Sequence, residues 1–164
     1  MKTLNLLLLA IVVSTSITSC SLEDIDQIES ENTFTELQSQ TQEESNSITL
    51  VNNHRKSIGL NELKFDETVY IYSTEHSKYM LNNEEVSHHN FNSRANNLVN
   101  EANAKSVGEN VAYSDILNIE RTFNNWLDSE PHRKNIEGDF THIAISIQTN
   151  DKGNSYHTQI FIKK

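Results

Sequence analysis

Three segments carry the side chains best suited to chemistry. Ser87–Arg94 reads S-H-H-N-F-N-S-R, Val107–Ala112 reads V-G-E-N-V-A, and Trp126–Ile136 reads W-L-D-S-E-P-H-R-K-N-I. Each sets an imidazole or a carboxylate beside a glycine, aromatic or arginine anchor. The imidazoles of His88, His89 and His132 and the carboxylate of Glu109 are the groups on offer, and together they suggest one polar cleft built from three separate stretches. Two imidazoles and a carboxylate have two uses. Neutral imidazole nitrogen and carboxylate oxygen suit Zn²⁺ or a similar divalent ion, with a coordination position left open. The same groups can hydrogen-bond one another and a polar ligand, the carboxylate favouring the charged form of a neighbouring imidazole. The chain has no H-E-x-x-H, no G-x-S-x-G and no cysteine nucleophile in its mature part. Ser129 stands three residues before His132, but Pro131 intervenes and no third member of a triad is identifiable. His89, next to His88 in an extended segment, points the other way and reads as solvent-exposed.

The elements that must position these groups follow from periodicity. Ile48, Val51, Arg55 and Ile58 recur at helical spacing, and Gly59 follows as a stop. Asp66 can cap a second helix with Val69, Tyr72, His76 and Tyr79 or Met80 on one face. Arg94 to Glu101 is a shorter helical stretch. A clear helix runs from about Ile116 to Leu127 and is ended by Pro131. The period then changes. Ile143, Ile145 and Ile147 alternate with Ala144, Ser146 and Gln148, and residues 156–162 alternate likewise. Asn150–Asn154 between them is turn chemistry, so the C-terminal part is a hairpin. Ser106–Tyr113 is a plausible third strand. Helices first and a small antiparallel sheet last give an α+β domain.

Composition sets further bounds. Residues 1–19, with Lys2 followed by an apolar run, read as an export signal rather than a membrane span. The signal ends at Ile17-Thr18-Ser19-Cys20, which resembles a bacterial lipoprotein processing site with Cys20 as the lipidated residue. Cys20 is the only cysteine, so the mature chain forms no internal disulfide. Residues 20–46 hold eight acids and no Lys or Arg, and they read as a flexible acidic tether. Residues 47–164 then form one domain large enough to bury a single core. That domain is only mildly acidic and has no basic stripe, which argues against nucleic-acid binding.

The three motifs, in this order and spacing, resemble the CAP superfamily (cysteine-rich secretory proteins, antigen 5, plant pathogenesis-related 1) in its bacterial form. The resemblance covers about residues 47–164. It implies a three-layer α-β-α sandwich with a cleft on one side of the sheet. It maps the bacterial S-H-x-x-F-x-x-R pattern onto His88, Phe91 and Arg94, and W-x-x-S-x-x-H-R-x-N-I onto Trp126, Ser129, His132, Arg133, Asn135 and Ile136. Eukaryotic members carry two His and two Glu in the cleft. Here Ser129 and Tyr156 stand at two of those positions, so the resemblance implies a substitute of His88, Glu109 and His132, with Tyr156 or His157 nearby. The expected function is a non-enzymatic module, exported to the outer membrane or cell surface, that binds a small ligand, a metal or an envelope protein. The alternatives are a metal-dependent hydrolase of envelope peptides or cell-wall material, and a regulatory interaction domain with a vestigial cleft.

Overall fold

The computed structural model describes residues 39–164. The expected signal, the lipidation residue Cys20 and most of the expected tether lie outside the described residues. Helix α1 (Gln42–Ser57) starts five residues before the expected domain boundary, which corrects the tether's extent. Thr41 caps it with a reciprocal pair of bonds: its Oγ1 accepts from the Glu44 N–H, and its own N–H donates to Glu44 Oε2. Glu44, taken from sequence as a tether acid, is fully buried. Its carboxylate also accepts from the Ile147 N–H at 2.8 Å and the Tyr70 hydroxyl at 2.8 Å. A buried carboxylate needs such donors to offset its lost hydration, and here they come from the sheet and the next helix.

Strand β1 (Lys64–Phe65) follows, then α2 (Glu67–Asn83), α3 (Phe91–Glu101), β2 (Ser106–Ser114), α4 (Ile119–Asp128), α5 (Glu130–Ile136), β3 (His142–Thr149) and β4 (Ser155–Lys163). Asp66 caps α2 as expected, accepting from the Val69 N–H at 3.0 Å. Gly59 stands just past α1 with φ of +81°, which a residue without Cβ adopts freely. Pro131 does not act as a terminator. It sits in the first turn of α5, where a missing N–H costs nothing, so the expected loop after α4 is a second short helix.

The sheet order is β1-β3-β4-β2. It is mixed rather than wholly antiparallel, because the two-residue β1 runs parallel to β3. Strand β4 is central and flanked by β3 and β2, which is why it is buried along nearly its whole length. Its alternating side chains therefore feed two different cores. Ile160 and Ile162 join Val69, Tyr70 and Leu98 beneath α2 and α3. Phe161, with Ile143, Ile145 and Ile147, joins Ile48, Val51, Trp126 and Ile136 beneath α1, α4 and α5. The result is the three-layer α-β-α sandwich. Arg55 of α1, 2 % exposed, ties that second layer together by donating to the carbonyls of Asn61, Ile136 and Gly138.

Candidate functional site

Strand β2 is an edge strand and organises the site. Alternation sends Glu109 to the α2/α3 face and Asn110 to the α5 face. On the first face Glu109 is 6 % exposed, yet both carboxylate oxygens are satisfied. Oε2 accepts from Arg94 Nε at 2.9 Å and Nη2 at 2.6 Å. Oε1 accepts from His88 Nδ1 at 2.8 Å. A carboxylate held by Arg94 only accepts, so Nδ1 of His88 carries a proton, and Nε2 has no hydrogen-bond partner among the described residues. The His88 side chain is 52 % exposed, whereas the Glu109 side chain is 1 % exposed. The imidazole is thus fixed from below and open to solvent above. Arg94 sits on the first turn of α3, and its Nη1 also donates to the His89 carbonyl, fastening the histidine loop.

The second face is neutral. Asn110 Nδ2 donates to the His132 carbonyl at 3.1 Å and to Gln159 Oε1 at 3.2 Å. Asn135 Nδ2 donates to Asn110 Oδ1 at 2.8 Å and to the Glu109 carbonyl at 3.0 Å. Gly108 makes this approach possible, because a Cβ there would lie 2.8 Å from Asn135 Oδ1 and 2.9 Å from the Phe140 ring. Helix α5 is braced further by Arg133 Nη1 donating to the Leu127 carbonyl at 2.6 Å. His132 Nδ1 lies 2.8 Å from Ser129 Oγ. Burial lowers the His132 pKa, and the nearby charge of His88 lowers it again.

The residues expected from sequence are therefore partly gathered. His88 and Glu109 form a direct pair. His132 and Ser129 form another, at the start of α5, near enough to His88 for its charge to act on the His132 ring. Tyr156 does not join them. It pairs with Tyr113 in the ladder, four residues along β2 from Glu109, or ~13 Å away at strand rise. It packs with Met80 and Val111 instead. His157 faces the opposite layer, 1 % exposed, with its ring edge-on to Trp126, and burial pushes its pKa down to about 4.

The expected metal set of His88, Glu109 and His132 is also corrected. Among the described residues no group of three or more His, Cys, Asp or Glu side chains is placed to hold an ion. The donor chemistry gives the reason. Glu109 has both oxygens engaged, and the Arg94 guanidinium against it would repel a divalent cation. The residues present do not fit the metal.

Sequence reasoning undervalued two residues. Arg94 was read as the start of a helix, but it is the ion-pair partner of Glu109. His76 was read as a face residue of α2; it is 3 % exposed and donates through Nε2 to the Ser87 carbonyl at 2.7 Å, next to His88.

The family model described as the cysteine-rich secretory protein family, CAP, matches residues 48–161. A membrane protein of Bacillus subtilis, YlbC, is 30 % identical over 129 residues, covering 76 % of this chain, and the chain spans 36 % of that relative's length. Solved structures share the fold. An outer surface protein of Borrelia burgdorferi superposes with TM-score 0.69 at 18 % identity, over 77 % of this chain and 96 % of that one. An extracellular SCP-domain protein of Bacillus anthracis gives 0.62 at 24 %, over 92 % of this chain and 45 % of that one. Venom allergen-like protein 4 of Schistosoma mansoni gives 0.56 at 13 %, over 76 % and 90 %. The ordered motifs, the sandwich and the family match agree: this chain belongs to the CAP family.

Proposed function

We propose that this protein is an exported, lipid-anchored CAP module whose edge-strand cleft binds a polar ligand or an envelope partner without turning it over. The observation that carries the reading is the bonding of Glu109. Arg94 and His88 saturate its carboxylate, which orients one imidazole and presents its free Nε2 outward. Such a group recognises a hydrogen-bond donor when neutral and an acceptor or anion when protonated.

The parts a hydrolase needs are divided. His88 has an orienting carboxylate but no hydroxyl bonded to it among the described residues. His132 has the Ser129 hydroxyl but no carboxylate bonded to it among the described residues. A nucleophile, a base and an orienting group must act in one chain of hydrogen bonds, and here they stand in two. Export is supported by two neighbours described as extracellular or outer surface proteins. Anchoring rests on Cys20 behind its apolar leader. On this reading Cys20→Ser moves the protein from the membrane fraction to the soluble one, and unchanged fractionation would exclude anchoring through Cys20.

The cleft is tested by a thermal-shift screen of polar metabolites and envelope peptides on wild type and His88→Ala. The expected result is compounds that raise Tm for wild type alone, with the variant's own Tm little changed because His88 is half exposed. Peptide or glycan hydrolysis that disappears in His88→Ala would replace binding with catalysis.

A further inference from the structure

A second recess lies between α2 and α3, behind the histidine loop. Tyr72, Glu75, His76, Tyr79, His89, Asn90, Ser93, Arg94 and Asn97 line its 210 Å³. Three of its rings are near-parallel. Tyr79 stacks on His89 with centroids 4.7 Å apart at 9°, and on His76 with centroids 5.9 Å apart at 8°. His89 was expected to be a free surface histidine; although exposed, its ring is held on Tyr79. The stack flanks the loop that carries His88 and leaves the outer side of the exposed His89 ring to the recess.

The lining selects an occupant by size and charge. A volume of 210 Å³ is below the ~300–1,000 Å³ that holds drug-sized ligands, so the occupant is one small ring. The buried Arg94 guanidinium disfavours a cation, and Glu75 at the exposed rim disfavours an anion. The remaining groups are hydroxyls and amides, which both donate and accept: Asn90, Ser93, and Asn97 with Tyr72, whose hydroxyl already bonds Asn97 and Glu101. Burial, and then the Glu101 carboxylate beside it, push the Tyr72 phenol up to about 12, so it enters as a neutral O–H. Burial and then Arg94 lower the His76 pKa, keeping the floor imidazole uncharged. The exposed His89 ring, backed by Tyr79 and beside these donors and acceptors, matches a ligand with C–H faces and several hydroxyls.

We propose that the recess between α2 and α3 binds a neutral sugar ring. The recess shares Arg94 and the histidine loop with the cleft above His88, but its ligand does not rest on the reading of that cleft. The test is an NMR titration of the ¹⁵N-labelled full-length chain with glucose, galactose, N-acetylglucosamine and N-acetylgalactosamine, with choline and inorganic phosphate in parallel. The expected result is that at least one sugar shifts amides within residues 72–79 and 89–97, while choline and phosphate do not. Ser93→Trp, on an exposed helical position, fills the recess and weakens that binding at least about tenfold, with circular dichroism unchanged. Asn97→Ala weakens it by a smaller factor, and His88→Ala leaves it intact. The proposal is overturned if no sugar shifts these amides, if choline or phosphate shifts them instead, or if a folded Ser93→Trp binds as wild type does.

Discussion

The two faces of strand β2 handle buried polarity differently. On the α2/α3 face a full charge is buried and compensated: Glu109 is held by Arg94 and His88. On the α5 face polarity is buried without charge: Asn110, Asn135 and Gln159 exchange amide bonds. Adjacent residues of one strand create the contrast. The charged face can orient an exposed imidazole, because a carboxylate fixes the tautomer and leaves the other nitrogen free. The neutral face can only hold backbone in place, and it does so for the short helix carrying His132.

The contrast is broken most severely by removing the compensating charge. Arg94→Met strands Glu109 in a buried site and should cost about 3–5 kcal/mol in chemical denaturation. Adding Glu109→Gln should recover part of that loss, because no uncompensated charge then remains. Equal stability of the single and double variants would mean that Arg94 acts through packing alone.

Acid should strike the opposite layer next. His157 is neutral in the fold, with its pKa pushed down from 6.5 to about 4, so only the unfolded chain takes up its proton between those values. Stability from this group is therefore full above pH ~6.5 and is lost as pH falls toward 4, by about 3 kcal/mol in total. The lowered pKa values of His76, His132 and His142 act in the same direction. Denaturation of His157→Gln at pH 7 and at pH 4.5 should show a smaller acid loss than wild type. An unchanged acid slope would remove His157 from the account.

The smallest effect belongs to the amide network. Asn135→Ala leaves the Glu109 carbonyl and Asn110 Oδ1 without their donor and should cost about 1–3 kcal/mol. If its cost matched that of Arg94→Met, the two faces would not differ as described.

Local chemistry was the legible part of the sequence. The Asp66 cap, the Gly59 stop and the alternating strands of the hairpin each depend on a few neighbouring residues, and each stands where it was read. The family resemblance supplied the sandwich and the His88–Glu109 region. What escaped was set by distance in the chain. Glu44 looks like a tether acid until Ile147 and Tyr70, far along the sequence, are seen to donate to it. Strand β1 is two residues long and exists only because β3 pairs with it. Pro131 follows Ser129 and Glu130, a helix-start pattern, but it also follows closely on α4, which makes the same proline read as a stop. The metal set failed because Arg94, a cation, already held the Glu109 carboxylate.

The central claim is that Glu109, held by Arg94, orients His88 as a hydrogen-bonding group rather than as a metal ligand. Long-range ¹H–¹⁵N NMR of the histidine rings, followed through a zinc titration at pH 7.5, tests it most directly. The account predicts His88 with a proton on Nδ1 toward Glu109, and His88 and His132 resonances that do not change together at one equivalent of zinc. A ring whose only proton is on Nε2, or stoichiometric loss of both ring signals with zinc, would contradict it.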